Sequence, residues 1–136
     1  MSQSCFTTCE MRATLPATSG ALEAFIADFR LLRGCFQNTQ APFVAELLLR
    51  EVLVNAAEHG CHSEPARRVH CKARLRGNAL TIAVTDEGDG FDWRAAWRRP
   101  ADPLGTSGRG LEILRACGTR VRFNQKGNRI VVCKRF

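Results

Sequence analysis

The chain has 136 residues, of which 45% are hydrophobic and 24% are charged, and its formal net charge is +7. This length predicts a single domain, residues 1–136, with one core. No stretch approaches the roughly 18 consecutive apolar residues of a membrane span, and the N-terminal sequence lacks the basic and then apolar pattern of a signal peptide, so we expect a cytoplasmic protein with no membrane partner.

The first predicted elements are a strand and a helix. In residues 11–15 apolar side chains alternate with Arg and Thr, which predicts a strand ending at Pro16. Thr18 or Ser19 then provides the N-cap of a helix. The apolar residues that recur at helical spacing after this cap are Leu22, Phe25, Ile26, Phe29, Leu32 and Phe36.

The next segment predicts a second helix and a β-hairpin. Pro42 suits the first turn of a helix, and the helix runs to Gly60, where a glycine can adopt the left-handed conformation. Apolar and polar residues then alternate in residues 69–75 and 80–84, with a Gly-Asn turn between them. One face of this hairpin is expected to be solvated.

The C-terminal part predicts two helices and a second hairpin. Residues 92–99 form a short helix, residues 100–108 a loop and residues 109–117 a helix. The strands 121–124 and 129–134 are joined by another Gly-Asn turn. Since most strands are antiparallel neighbours, we predict an α+β fold, a two-layer sandwich whose mostly antiparallel sheet is covered on one face by helices.

The positive charge is concentrated in the second part of the chain. Residues 1–58 carry four Arg and six acidic residues, whereas residues 59–136 carry sixteen basic and seven acidic residues, so the two parts have net charges of −2 and +9. A nucleotide or an acidic protein surface fits this excess. No zinc finger, RNA-binding signature or basic-aromatic pattern accompanies it, so direct binding of nucleic acid is not predicted.

The seven cysteines include no CxxC pair, and reduced, mostly structural thiols are the simplest interpretation. One cluster offers enough ligands for a zinc ion, but its spacing matches no common zinc pattern, so zinc is the weaker interpretation. This cluster consists of His59, Cys61, His62, His70 and Cys71.

Three polar stretches carry candidate chemistry, and the first is in the second helix. Glu51 and Asn55 are four residues apart, so they project from one helix face. An Asn oxygen can bind a hard cation such as Mg²⁺, and a nearby Glu can accept a proton. An exposed polar pair is the simpler alternative, and this spacing alone does not decide between them.

The second stretch is DEGDGFDW, residues 86–93, directly after a predicted strand. It fails as an EF-hand loop, because Phe91 replaces the glycine of position six and Trp97 the glutamate of position twelve. It is typical of a turn, but its glycines would also let a ligand approach the backbone. Asp86 could then accept a hydrogen bond from an exocyclic amine such as that of adenine.

The third stretch is GTSGRGL, residues 105–111, where a helix begins. It is not a P-loop, because Leu111 and Glu112 stand where Lys and Ser or Thr are needed. Glycines before a helix N-terminus present N–H groups and a positive dipole end to a phosphate chain. A capped surface loop explains the stretch equally well when it is considered alone.

Together, in this order, the three stretches resemble the N, G1 and G2 boxes of the GHKL ATPase superfamily, with its Bergerat nucleotide-binding fold. The Asn-Ala-x-x-His-Gly sequence at 55–60 and the GRGL sequence at 108–111 further resemble the bacterial anti-sigma-factor serine kinases of partner-switching systems. The resemblance covers about residues 10–135.

The resemblance implies a role for each matching residue. Asn55 would coordinate the Mg²⁺ that bridges the phosphates of ATP, and Glu51 would be the general base for a substrate serine. Asp86 would bind the adenine amine, and Gly88 and Gly90 would leave room for the base.

The resemblance also implies an ATP lid whose backbone N–H groups bind the phosphates. Its residues are Gly105, Thr106, Ser107, Gly108, Gly110 and Leu111. From its charge and position we add Arg109 as the residue that stabilises the γ-phosphate during transfer. Two departures from the family pattern are Glu112, where an apolar residue is more usual, and the missing threonine on a late strand near adenine.

The function implied is an ATP- and Mg²⁺-dependent protein serine/threonine kinase. It would bind a sigma factor and phosphorylate an anti-anti-sigma antagonist protein on serine, and kinases of this type are often homodimers. The alternative is a non-catalytic nucleotide-binding module of the same fold that regulates a phosphatase or another partner. The sequence identifies neither the sigma factor, the antagonist nor the response that they control.

Overall fold

The computed structural model describes residues 8–90, 109–117 and 119–136. The strands are β1 (Thr8–Pro16), β2 (Arg68–Arg76), β3 (Ala79–Asp86), β4 (Arg120–Phe123) and β5 (Arg129–Arg135), and the helices are α1 (Ser19–Phe29), α2 (Ala41–Asn55) and α3 (Arg109–Ala116). A 3₁₀ turn, Arg30–Cys35, follows α1, and a π-helical turn, Ala56–Gly60, follows α2. The short helix predicted at 92–99 and the loop at 100–108 lie outside the described residues.

The five strands form one sheet in the order β1-β2-β3-β5-β4, and every neighbouring pair is antiparallel. In β2 and β3 every second residue is buried, because one face of the sheet packs on the helices and the other faces solvent. The α+β prediction is confirmed. None of the helices in the described ranges is long and apolar enough to cross a bilayer.

Helix α1 begins as predicted but ends earlier than its apolar stripe suggested. The side chain of Thr18 accepts a hydrogen bond from the backbone N–H of Ala21, which satisfies one free N–H of the first turn. The helix ends at Phe29, and Leu32 lies in the 3₁₀ turn. Gly34 disfavours continuation of the helix, and the chain is extended at Phe36.

Cys9 and Cys35 form a disulfide bond between β1 and the end of the 3₁₀ turn. The expectation of reduced thiols is therefore wrong for these two residues. They are 26 positions apart, and only the return of the 3₁₀ turn to β1 brings them together, which spacing in the sequence cannot indicate. Cys61, Cys71, Cys117 and Cys133 are free thiols.

Helix α2 lies at the centre of the core. It contacts α1 on one side, α3 on another and the strand β3 beneath it. Its fully buried residues are Ala45, Leu48, Leu49, Val52 and Leu53. Because they occupy consecutive turns of one broad helix face, α2 has a fixed orientation on the sheet.

Candidate functional site

Glu51 and Asn55 lie at the border of the buried face of α2. Both are half-buried, whereas Val52 and Leu53 between them are fully buried. Burial raises the pKa of the Glu51 carboxyl above its ordinary value of 4.5. The negative charge of Glu58 raises this pKa further, and the positive charge of Arg50 lowers it. A carboxylate with a raised pKa is a better proton acceptor near neutral pH.

The π-helical turn after α2 brings Gly60 against the end of β3. Among the described residues the glycines with positive φ are Gly77, Gly90 and Gly127, so the predicted left-handed conformation of Gly60 is wrong. A Cβ atom at Gly60 would overlap the carboxyl group of Asp86, with Oδ1 only 2.7 Å away. Glycine is needed here because the backbone and the carboxyl group pack directly against each other.

Among the described residues, Asp86 is the only polar or charged one that is buried, with 3% of its surface exposed. One carboxyl oxygen accepts a hydrogen bond of 2.9 Å from the backbone N–H of Gly88. Burial raises the pKa of Asp86 above 3.8, and that hydrogen bond and the charges of Lys126 and Arg67 oppose the shift. No ion pair within the described ranges includes this carboxylate.

The turn between β4 and β5 holds the backbone of Asp86. Asn128 accepts a hydrogen bond of 2.9 Å from the Asp86 N–H and donates one of 3.1 Å from its side chain to the Asp86 carbonyl. At Gly90, with φ of +80°, a Cβ would overlap the carbonyl oxygen of Lys126. This turn therefore fixes the strand end that carries the acid.

The glycines of DEGDG approach protein backbone in this structure. A Cβ at Gly88 would overlap the carbonyl oxygen of Gly60, just as one at Gly90 would overlap that of Lys126. These contacts are sufficient to explain both glycines, and their role in leaving room for adenine stays a prediction.

The described part of the third stretch is the start of α3. The backbone of Arg109, Gly110 and Leu111 is helical, and α3 packs on α2, so it shares a contact surface with the helix that carries Glu51. The predicted lid residues Gly105, Thr106, Ser107 and Gly108 lie outside the described residues.

Sequence reasoning missed Gly60, Lys126 and Asn128 as parts of this site. Local sequence predicts that Gly60 ends a helix and that Asn128 forms part of a hairpin turn, but it does not indicate the contact of either residue with β3. Within residues 8–90, 109–117 and 119–136, no group of three or more His, Cys, Asp or Glu side chains is arranged to hold a metal ion.

The residues of the site are of the types that Mg²⁺ and ATP require. Asn55 offers an amide oxygen, a hard ligand, beside the acidic Glu51. Asp86 is a buried carboxylate without an ion-pair partner among the described residues, and such a group is stabilised when a ligand donates a hydrogen bond to it. The donor set therefore fits the ligand that the resemblance implies.

Comparisons with known proteins agree with this geometry. The family profile described as "Histidine kinase-like ATPase domain" matches residues 13–134. The chain belongs to this family. The resemblance to GHKL ATPases is thereby confirmed, and membership implies that the domain binds ATP. No curated protein sequence gives a significant match.

Two solved structures have the same fold as this ATPase domain. One contains the RsbU and RsbW domains of Rv1364c from Mycobacterium tuberculosis, with a TM-score of 0.61, 21% identity, and coverage of 93% of this chain and 32% of that one. The other is the histidine kinase domain of the Erythrobacter litoralis EL346 blue-light activated histidine kinase. Its TM-score is 0.52 and its identity 17%, and the match covers 87% of this chain and 59% of that one. The chain thus spans about a third of the length of the first of these chains and about three fifths of the second.

We predict that Gly60→Ala damages both the fold and nucleotide binding of the ATPase domain. The new methyl group must displace the Asp86 carboxyl, which we expect to lower the free energy of unfolding by about 1–3 kcal/mol. Urea titration measures this change. Gly20→Ala is the control, because a Cβ at Gly20 has no atom within 4 Å. Equal stability of the two variants would contradict the close packing at Gly60.

Proposed function

We propose that this chain is an ATP- and Mg²⁺-dependent protein serine/threonine kinase that acts as an anti-sigma factor and phosphorylates an anti-anti-sigma antagonist protein on serine. The observation that carries the proposal is Glu51, a half-buried carboxylate with a raised pKa one helical turn from Asn55. A domain that only binds nucleotide has no need of a proton acceptor at that position.

Each residue of the site has one task in the proposal. Asn55 holds Mg²⁺ through its side-chain oxygen, and Asp86 accepts a hydrogen bond from the adenine amine. Glu51 accepts the proton of the substrate serine hydroxyl, and Arg109 stabilises charge on the γ-phosphate. When bound, ATP would supply the γ-phosphoryl group and leave as ADP, and Mg²⁺ would neutralise part of the negative charge that develops during transfer.

The partners come from the resemblance of the 55–60 and 108–111 sequences to anti-sigma-factor kinases. The fold likeness to a structure that includes an RsbW domain supports the same assignment. In this proposal the sigma factor and the antagonist compete for the domain, the domain works in the cytoplasm where sigma factors act, and it forms a homodimer.

The proposal predicts that the chain, incubated with labelled ATP and Mg²⁺, transfers phosphate to a serine of one small antagonist protein from the same cell. Asn55→Ala should abolish Mg²⁺-dependent ATP binding, because the variant lacks the amide oxygen that holds the cation. Phosphate transfer is measured by mass spectrometry and ATP binding by calorimetry. Tight ATP binding by the wild type without transfer to any candidate would favour the non-catalytic module, and no ATP binding would reject both functions.

A further inference from the structure

The face of the sheet opposite the helices carries a cluster of cations that the nucleotide site does not use. The antiparallel register places alternate residues of all five strands on this face. We call it the basic sheet face and define it by Arg12, Lys72, Arg74, Arg120, Arg122 and Arg129. All six side chains are exposed or half-buried.

Acidic residues do not balance these cations. Glu10 pairs with Arg12 at 2.5 Å and lies 4.0 Å from Lys72, and Glu87 lies 3.5 Å from His70 at the end of the face. No ion pair in the described part of the chain involves Arg74, Arg120, Arg122 or Arg129. A surface that only meets water usually mixes both signs, so this excess favours an anionic partner.

A strip on β3 and β5 separates one column of cations, on β1 and β2, from a second column on β4, and Arg129 lies at one end of the strip. Ala83 on β3 is paired with Val131 on β5, and this pair lies between Lys72 on β2 and Arg122 on β4. Three strand spacings separate the two columns by about 14 Å. An α-helix with its side chains is about 10–12 Å wide, so one helix fits between them.

The surface beside this strip is concave. An open groove of about 460 Å³ extends from this strip over β2 and β1. Its lining includes Ala83, Thr85, Thr14 and His70 and the cations Arg12, Lys72 and Arg129. A floor of small side chains with a charged border is compatible with the less polar centre and polar rim of a protein interface.

We infer that the basic sheet face binds an amphipathic helix of a partner protein, with apolar side chains on the strip and acidic side chains on both flanks. Single-stranded nucleic acid fits less well, because the outward-facing residues of the described strands include no Phe or Trp on which bases could stack. A second copy of the chain would bring the same cations face to face. The inference does not depend on kinase activity, since Asp86 and α2 lie on the other face of the sheet.

A synthetic helix of about 18 residues tests the inference. The probe carries Leu and Ala on one face and Glu on both flanks, and its binding to the full chain is measured by fluorescence anisotropy. Arg122→Glu should weaken binding about tenfold, because it replaces one of the two cations of the β4 column by an acid and so cancels the net charge of that column. Val131→Thr, which keeps the β-branched shape, should weaken it about threefold by making the strip polar.

Arg33→Glu is the matched control, because it makes the same charge change at an exposed position of the 3₁₀ turn. It should alter binding less than about twofold, because salt screens exposed charges that lie far from the binding surface. The melting temperature of each variant checks its folding. The inference is overturned if a scrambled peptide of the same composition binds equally well, if the probe does not bind, or if duplex DNA binds more tightly and ignores Val131→Thr.

Discussion

Replacing Glu51 by Gln should slow phosphate transfer strongly and leave ATP binding intact. Glutamine fills the same space but cannot accept the serine proton, and a lost general base typically lowers a rate about 10²- to 10⁴-fold. Single-turnover transfer from labelled ATP measures the rate, and calorimetry measures the affinity. A Glu51→Gln variant that labels its antagonist at the wild-type rate would contradict the role of Glu51 as base.

The pH dependence of transfer gives a second readout for Glu51. Because burial raises its pKa above 4.5, the wild-type rate should rise with pH as the carboxyl loses its proton, with an inflection above that value. Glu58→Gln is the matched control, since Glu58 is exposed and its charge contributes to the raised pKa. This variant should stay active and shift the inflection to lower pH.

Replacing Asp86 by Asn should separate nucleotide binding from stability. The amide keeps an oxygen for the Gly88 N–H but loses the charge that would accept the adenine amine, so ATP affinity should fall about 10- to 100-fold. The free energy of unfolding at neutral pH should be unchanged or higher, because a buried charge is removed. Asp89→Asn, an exposed change in the same segment, should affect neither property.

The sign of the Asp86 effect can be checked by titration. With a raised pKa, the folded chain retains the proton at pH values where the unfolded chain has already released it. Relative to Asp86→Asn, the wild type should therefore lose stability as pH rises from 3.8 towards the raised value. A gain of stability over that interval would show that the ionised carboxylate is well stabilised in the fold.

Local patterns in the sequence predicted most of the elements correctly. Alternation of apolar residues predicted the four later strands to within one or two residues, and Thr18, one of the two expected N-cap residues, caps α1. These patterns succeed because strand pleat and helix periodicity act over a few neighbouring residues. The family resemblance also selected the right fold, since three motifs in one order constrain the topology.

Contacts between distant segments could not be predicted in this way. The packing of Gly60 on Asp86, the bonds from Asn128 to the same strand end, and the Cys9–Cys35 disulfide all depend on how the chain returns to itself. The sequence also shows a net charge of +9 after residue 58, but it does not indicate where on the folded domain these charges lie. The register of five strands puts much of that charge on one face of the sheet.

The most direct test is a crystal structure of the chain with Mg²⁺ and a non-hydrolysable ATP analogue. We predict that the adenine amine lies within hydrogen-bond distance of Asp86, that Asn55 binds the metal ion, and that Glu51 faces the terminal phosphate. A nucleotide bound elsewhere, or a Glu51 side chain directed away from the phosphates, would contradict the proposed site.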